Sequence, residues 1–233
     1  MGAAEGSRKR KRRPTTDAGR RRAETWRLKR LLAFEAELRS KGYERIAGVD
    51  EAGRGPLAGP VVAAAVILPH GVAVRGVDDS KRLPAQRREA LFREIRATAL
   101  AVSVGAASTR EVDRLNILRA SHLAMSRAVR RLSPGPDHVV VDGMPVTVLG
   151  DACTAVVDGD ARVHCVACAS IVAKVVRDRL MGLLAVRYPK YGWDHNAGYG
   201  TQDHRDAILE LGLTPHHRRS FEPNVQLLLE LPV

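Results

Sequence analysis

The sequence predicts an α/β protein: one mixed sheet flanked by helices, with a C-terminal helical extension. Three observations lead there. Apolar strand-like runs come first and then alternate with helical segments, the order that builds a sheet with helices packed on it. Residues 61–68 form a near-continuous β-branched and alanine run, suited to a strand covered on both faces. Residues 109–132 carry Val112, Leu115, Leu118, Leu123, Met125, Val129 and Leu132, the spacing of a long amphipathic helix. At 233 residues without internal repeats, the chain can build one sizeable core.

The elements follow in order. From about Ala23, residues Trp26, Leu28, Leu31, Leu32 and Leu38 recur at three-and-four spacing, predicting a helix that ends near Gly42. Residues 45–49 read as a first strand, and a glycine-rich loop separates it from the strand at 61–68. A short helix over 84–96 and a strand over 101–107 precede the helix at 109–132, which Ser133-Pro-Gly-Pro-Asp137 breaks. Residues 138–141 form a strand running into Asp142-Gly143, and further short strands are expected at 146–149 and 154–157. A helix over 167–188, a glycine-rich loop over 189–201, a helix over 202–211 and a last helix over 223–231 complete the chain.

Composition limits the class. Hydrophobic content of 45% and charged content of 27% suit a soluble globular protein. The net charge of +12 is concentrated at one end: residues 1–30 hold 12 Lys/Arg against 3 Asp/Glu, leaving 26 against 23 elsewhere. Residues 1–22, with Arg8-Lys-Arg-Lys-Arg-Arg13 and Arg20-Arg-Arg22, lack apolar periodicity and are expected to be a disordered basic tail, serving solubility or non-specific attraction to nucleic acid. Residues 23–233 are expected to form a single domain with a helical C-terminal part. No secretory or membrane-spanning run is apparent, so a cytoplasmic monomer without membrane association is expected. Cys165-x-x-Cys168 has the spacing of half a zinc site but lacks a second pair, so small apolar packing explains it better.

Chemistry concentrates where apolar strands run into acids: Val49-Asp50-Glu51, Val141-Asp142-Gly143 and Val157-Asp158-Gly-Asp160. In an open α/β sheet such strand ends meet at one edge. Gathered carboxylates repel one another unless a cation neutralises them, and hard oxygen ligands favour Mg²⁺ or Mn²⁺. Gly53-Arg54-Gly55 follows the first acids directly. It is neither a Walker loop nor a dinucleotide fingerprint, but its amides can approach a ligand without Cβ obstruction. Ser170 and Lys174, four residues apart, share a helical face, and Lys174 reads as a phosphate contact, as does Lys81 after Asp79-Ser80. His195, His216 and His217 read as surface loop histidines, and Asn116 as a structural cap.

These motifs, in order, resemble the ribonuclease HII family across residues 31–224. The resemblance rests on Gly48-Val-Asp-Glu-Ala-Gly-Arg-Gly-Pro-Leu-Ala-Gly-Pro60, Asp79-Ser-Lys81, Leu115-Asn-Ile-Leu118, Val141-Asp-Gly143, Ala169-Ser-Ile-Val-Ala-Lys-Val-Val-Arg-Asp178, Gly198-Tyr-Gly-Thr201 and His217-Arg-Arg-Ser-Phe221. It implies a ribonuclease H-like mixed sheet and a metal-dependent endoribonuclease acting on RNA–DNA hybrids and on single ribonucleotides embedded in duplex DNA. It implies 3′-hydroxyl and 5′-phosphate products, and a part in ribonucleotide removal and RNA primer processing.

By position, the family's metal-binding acids fall on Asp50, Glu51, Asp142 and Asp160. The resemblance further implies that Gly53, Arg54 and Gly55 lie against the ribose at the RNA–DNA junction and that Tyr199 stacks on the sugar. Where the family has a basic residue before Gly-Asp, this chain has Asp158, which on an extended strand would face the same way as Asp160 and compete with it. His195-Asn-Ala-Gly-Tyr199 also departs from the family's His-Lys-Gly-Tyr, removing one phosphate-binding lysine. The residues alone leave two rivals: a nuclease acting on DNA only, and a non-catalytic binder working through the basic tail.

Overall fold

The computed structural model describes residues 16–222 and Asn224. Within them a single five-stranded sheet has the order β3-β2-β1-β4-β5, where β1 is Ile46–Ala52, β2 Val61–Ile67, β3 Ala101–Ala107, β4 His138–Asp142 and β5 Cys153–Val156. β1, β2 and β3 form an antiparallel meander, and β4 and β5 add in parallel on the other side of β1. β2 lies inside the sheet, between β3 and β1, and all seven of its residues are buried. Its alternate side chains divide between the two layers, as a period of two requires. Val61, Ala63, Ala65 and Ile67 face helix α4 (Ile117–Arg130), whereas Ala64 and Val66 face α2 (Ala85–Thr98) and α6 (His164–Arg187).

Small residues let those layers approach. A Cβ on Gly48 would lie 2.1 Å from the Cys165 carbonyl carbon, so only glycine lets the first turn of α6 rest on β1. Glu35, on helix α1 (Asp17–Ser40), is buried there and accepts the Cys165 N–H at 2.7 Å. A carboxylate placed on a helix's unpaired first-turn amides is a favourable way to bury an acid. A third apolar cluster joins Leu57, Ala58 and Met181 to Trp193, Ala207 and Ile208. Through it the C-terminal part, with α7 (Trp193–Asn196) and α8 (Gln202–Leu211), docks on the far end of α6.

Several expectations change. The first helix begins at Asp17, not near Ala23: the Thr16 hydroxyl caps it by accepting the Gly19 N–H at 3.1 Å, so residues 17–22 are its opening turns and not a disordered tail. The earlier tail residues and the helix expected over 223–231 lie outside the described residues, Asn224 excepted. The helix at 109–132 is two, α3 (Thr109–Leu115) and α4, because Asn116 sits at φ 65° and its side chain caps α4 through the Arg119 N–H. The strand expected at 146–149 is a short 3-10 turn. Among the described residues no helix is long and apolar enough to cross a membrane.

Candidate active site at the carboxylate edge of the sheet

The parallel register of β1 and β4 ends with Val49 opposite Val141, so the next residues, Asp50 and Asp142, stand side by side where these two strands part, each still paired on its other side. Asp50 is buried, and its Oδ1 accepts the Glu51 N–H at 2.6 Å. Burial, then the charges of Glu51 and Asp142, push its carboxyl well above the ordinary aspartate range. The Ser170 hydroxyl opposes that shift in part. Glu51 is raised as well, chiefly by burial, while Arg54, 3.4 Å from its Oε1, pulls the other way. The Asp142 Oδ1 accepts the Gly159 N–H at 2.6 Å, tying the end of β4 to the segment carrying Asp160.

That segment differs from expectation. β5 stops at Val156, Asp158 turns the chain at φ 55°, and Asp160 lies in the first turn of a short helix, α5 (Gly159–Arg162). The two acids therefore do not share a strand face. Asp158 is exposed, while the carboxyl of Asp160 is raised by burial and by the charges of Asp142 and Asp79. Asp160 thus belongs electrostatically to the acidic edge.

A cavity of about 220 Å³ opens beside these acids. Asp50, Glu51, Gly53, Arg54, Gly55, Lys81, Ser170, Lys174 and Tyr199 all line it, so nine of the eleven residues singled out in the sequence meet in one hollow. Asp142 and Asp160 flank it without lining it. Burial works against the Lys81 charge, but Asp79, Asp50 and Asp160 together hold its ammonium above its ordinary value. Lys174 reaches the cavity while paired at 2.6 Å with Asp178, which Arg88 also approaches at 3.4 Å. The Ser170 hydroxyl bonds that of Ser80 at 3.0 Å.

Two residues that sequence reasoning passed over build the glycine loop. Arg218, buried, donates to the carbonyls of Gly53, Arg54 and Gly59. Arg177, also buried, donates to Pro60, Ala58 and Ala197. With its carbonyls drawn inward onto two guanidiniums, the loop is fixed from behind. Gly53, at φ 95°, has no room for a side chain, since a Cβ would lie 1.9 Å from Arg177 Nε. Gly55 differs: its open face looks toward the Tyr199 ring, whose Cε1 would be 3.9 Å from an added Cβ. The Tyr199 turn is fastened to the same loop, because the Gly198 carbonyl accepts the Leu57 N–H at 2.8 Å.

Histidines support that turn from below. His204 Nδ1 donates to the Tyr199 carbonyl at 2.9 Å, since a carbonyl only accepts. His204 Nε2 is left to accept from Trp193 Nε1 at 3.0 Å and from His217 Nε2 at 3.2 Å. His217 Nδ1 in turn accepts the Thr214 N–H at 2.9 Å. His217 is thus no surface histidine: apolar packing by Tyr191 and Trp193 encloses it, and both imidazoles are held neutral in defined tautomers.

Among the described residues no three acids, thiols or imidazoles are drawn into a ready-made ion site. The donor set nevertheless suits a hard divalent cation. Four carboxylates meet at one edge, three of them destabilised as anions by burial and their neighbours, and no thiol or imidazole enters.

Known proteins resemble this chain in sequence and in fold. The family model described as Ribonuclease HII matches residues 47–224. A ribonuclease HII from Ruegeria pomeroyi is 55% identical over 198 residues, covering 84% of this chain and 84% of its own. One from Geobacillus kaustophilus is 50% identical over 209 residues, 90% of this chain and 80% of its own. The crystal structure of ribonuclease H2 from Pyrococcus horikoshii superposes with a TM-score of 0.67 at 27% identity, covering 78% of this chain and 96% of that one.

Proposed function

The chain belongs to the ribonuclease HII family, and from that premise we propose that it cuts the RNA strand of RNA–DNA hybrids and cleaves 5′ to single ribonucleotides in duplex DNA. The carrying observation is the single cavity in which Asp50 and Glu51, the Gly53–Gly55 loop and Tyr199 meet. Acids alone would serve any metal nuclease. A glycine loop with its carbonyls tied behind it and an aromatic ring opposite is an arrangement suited to reading a sugar.

Asp50, Glu51, Asp142 and Asp160 would hold one or two divalent ions, Mg²⁺ or Mn²⁺, which when bound would activate a water and stabilise the leaving 3′ oxygen. The protein's own groups do the rest. Asp50 is kept in place by the Glu51 amide and Ser170, and Asp142 by the Gly159 amide. Lys81 and Lys174, with Arg54, bring positive charge to the cavity, offsetting its acids where a phosphate would bind. The main chain at Gly53–Gly55 reads the 2′-hydroxyl, the group that separates RNA from DNA at one position. Tyr199, 43% exposed, offers its ring to the sugar face. The products are 3′-hydroxyl and 5′-phosphate ends, and the enzyme works as a monomer in ribonucleotide removal and primer processing.

The test is an end-labelled duplex carrying one ribonucleotide, incubated with and without Mg²⁺ beside an all-DNA control. Mg²⁺-dependent cleavage 5′ to the ribonucleotide, with the control intact, is expected. Cleavage of the all-DNA duplex would overturn the sugar-reading role of the loop.

A further inference from the structure

The basic character of α1 is not spread along the helix. Its first fourteen residues, 17–30, hold six Lys/Arg against two Asp/Glu, and Arg21, Arg22, Lys29 and Arg30 are exposed. Trp26 is exposed by 60%, unusual for the largest apolar side chain, and its contact is the Arg30 guanidinium, 5.0 Å from the ring centroid. The core of the protein requires none of these side chains. The helix's buried residues, Leu31, Glu35 and Leu38, all come later.

The placement of this half-helix links it to the site. Leu38 packs with Ile46 at the start of β1. From Leu38 back to Arg27 the helix rises about 16 Å, and β1 rises about the same from Ile46 to Glu51. Arg27 accordingly reaches the segment that leads into the cavity: it donates to the Val77 carbonyl at 2.6 Å and pairs with Asp78 at 2.8 Å, three residues before Lys81. One turn on, Arg30 and Phe34 share a groove with Ala161 and Arg162, the residues that follow Asp160. Residues 17–26 extend the helix about 15 Å further along its axis from Arg27.

We propose that this half of α1 is a second duplex-binding surface, an arm that grips the phosphate backbone of the substrate to one side of the cut. The proposal rests on the nuclease reading above and adds where the flanking duplex lies. Phosphates spaced along a duplex neutralise with exposed arginine and lysine in a sequence-independent, salt-sensitive way. The paired Trp26 and Arg30 make a flat, cationic element that rests on the sugar–phosphate edge.

Two experiments on the full chain test it. In the first, Arg21, Arg22, Lys29 and Arg30 are changed together to Gln, and in parallel to a Lys set that keeps the charge. Binding of a fluorescent ~30-base-pair duplex is followed by anisotropy without metal over a salt series, and cleavage with Mg²⁺ is measured alongside. The Gln set is expected to raise Kd and KM about tenfold, to leave kcat within about twofold, and to flatten the salt slope by about 0.9 per lost contact; the Lys set stays near the parent. Unchanged Kd and salt slope in the Gln set would overturn the arm, as would a fall in kcat with KM unmoved. Parent protein that binds the duplex through the arm yet cleaves no ribonucleotide would instead overturn the nuclease reading and spare the arm. In the second, because Trp193 is fully buried, duplex-induced quenching of intrinsic fluorescence reports Trp26. Quenching in the parent that disappears in Trp26→Phe is expected; no quenching in the parent would overturn the Trp26 contact.

Discussion

Arg218 donates to the main-chain carbonyl of Gly53 across 165 residues of sequence, with its other terminal nitrogen 2.8 Å from the Arg54 carbonyl. Burial, with Arg177 nearby, lowers its pKa to about 9, so it stays a cation at neutral pH and spends that charge on three loop carbonyls. A lysine has the charge but not the planar fork that spans several acceptors. Arg218→Lys is expected to lower stability by about 2–4 kcal/mol and kcat/KM by more than about tenfold. Urea unfolding and single-ribonucleotide cleavage measure both. Parent-like kinetics would show that the loop is held without Arg218.

Asp50 carries the opposite problem, an anion that folding disfavours. Its folded pKa lies above the unfolded one, so ionisation penalises the folded state at neutral pH and the penalty eases as pH falls. Asp50→Asn should therefore raise the metal-free Tm by a few degrees while reducing cleavage by about a hundredfold or more. Millimolar Mg²⁺ should raise the Tm of the parent and leave that of the variant in place. An equal Mg²⁺ shift in both proteins would remove Asp50 from the ion site.

The His204–His217 pair ties stability to pH with a definite sign. Burial, then His204, lower the His217 pKa to about 3, against about 6.5 in an unfolded chain. Above pH 6.5 both states are neutral and nothing is lost. Between 6.5 and 3 only the unfolded chain gains the proton, so stability falls as pH falls. The decline should reach about 3 kcal/mol by pH 4. His217→Gln should flatten it, and because the pair holds the Tyr199 carbonyl, KM should rise more than kcat falls. Urea midpoints at pH 7 and pH 4.5 for the two proteins decide the matter; the same pH slope in both would exclude His217 as its source.

What the sequence could reveal depended on how local each cause was. β3 and α8 fall where periodicity put them, because alternation and an apolar stripe are local properties. Asp50, Glu51 and Asp142 stood out because apolar strands run straight into them. Asp160 was recognisable only by position in a motif, since its turn through Asp158 at positive φ reads like strand continuation. Asn116 interrupts a helix whose apolar spacing continues across the break, so periodicity alone joined α3 to α4. Arg177, Arg218 and His204 were not legible as site residues. An arginine within a helix or loop looks like surface, and here it is carbonyls of residues 53–60, over a hundred positions away, that chiefly hold both in the core. Thr16 escaped notice for a related reason: one hydroxyl cap outweighed the basic composition behind it.

Gly53 and Gly55 sit two residues apart, yet the same substitution should act on them by different routes. At Gly53 an added methyl lies 1.9 Å from Arg177 Nε at a φ of 95° that side chains avoid, so Gly53→Ala strains the loop and displaces a buried guanidinium. It should lower stability by about 2 kcal/mol or more and lose activity with it. At Gly55 the nearest atom to that methyl is Tyr199 Cε1 at 3.9 Å, ordinary contact distance, and the rest of its surroundings is the open cavity. Gly55→Ala should leave the unfolding curve unchanged. If the ribose must rest against this main chain, the methyl takes its place, and cleavage of the single-ribonucleotide duplex should fall by about a hundredfold. Steady-state kinetics beside denaturant unfolding separate the two effects. A Gly55→Ala protein as active as the parent would mean that no sugar approaches the loop there, and the 2′-hydroxyl would have to be read elsewhere in the cavity.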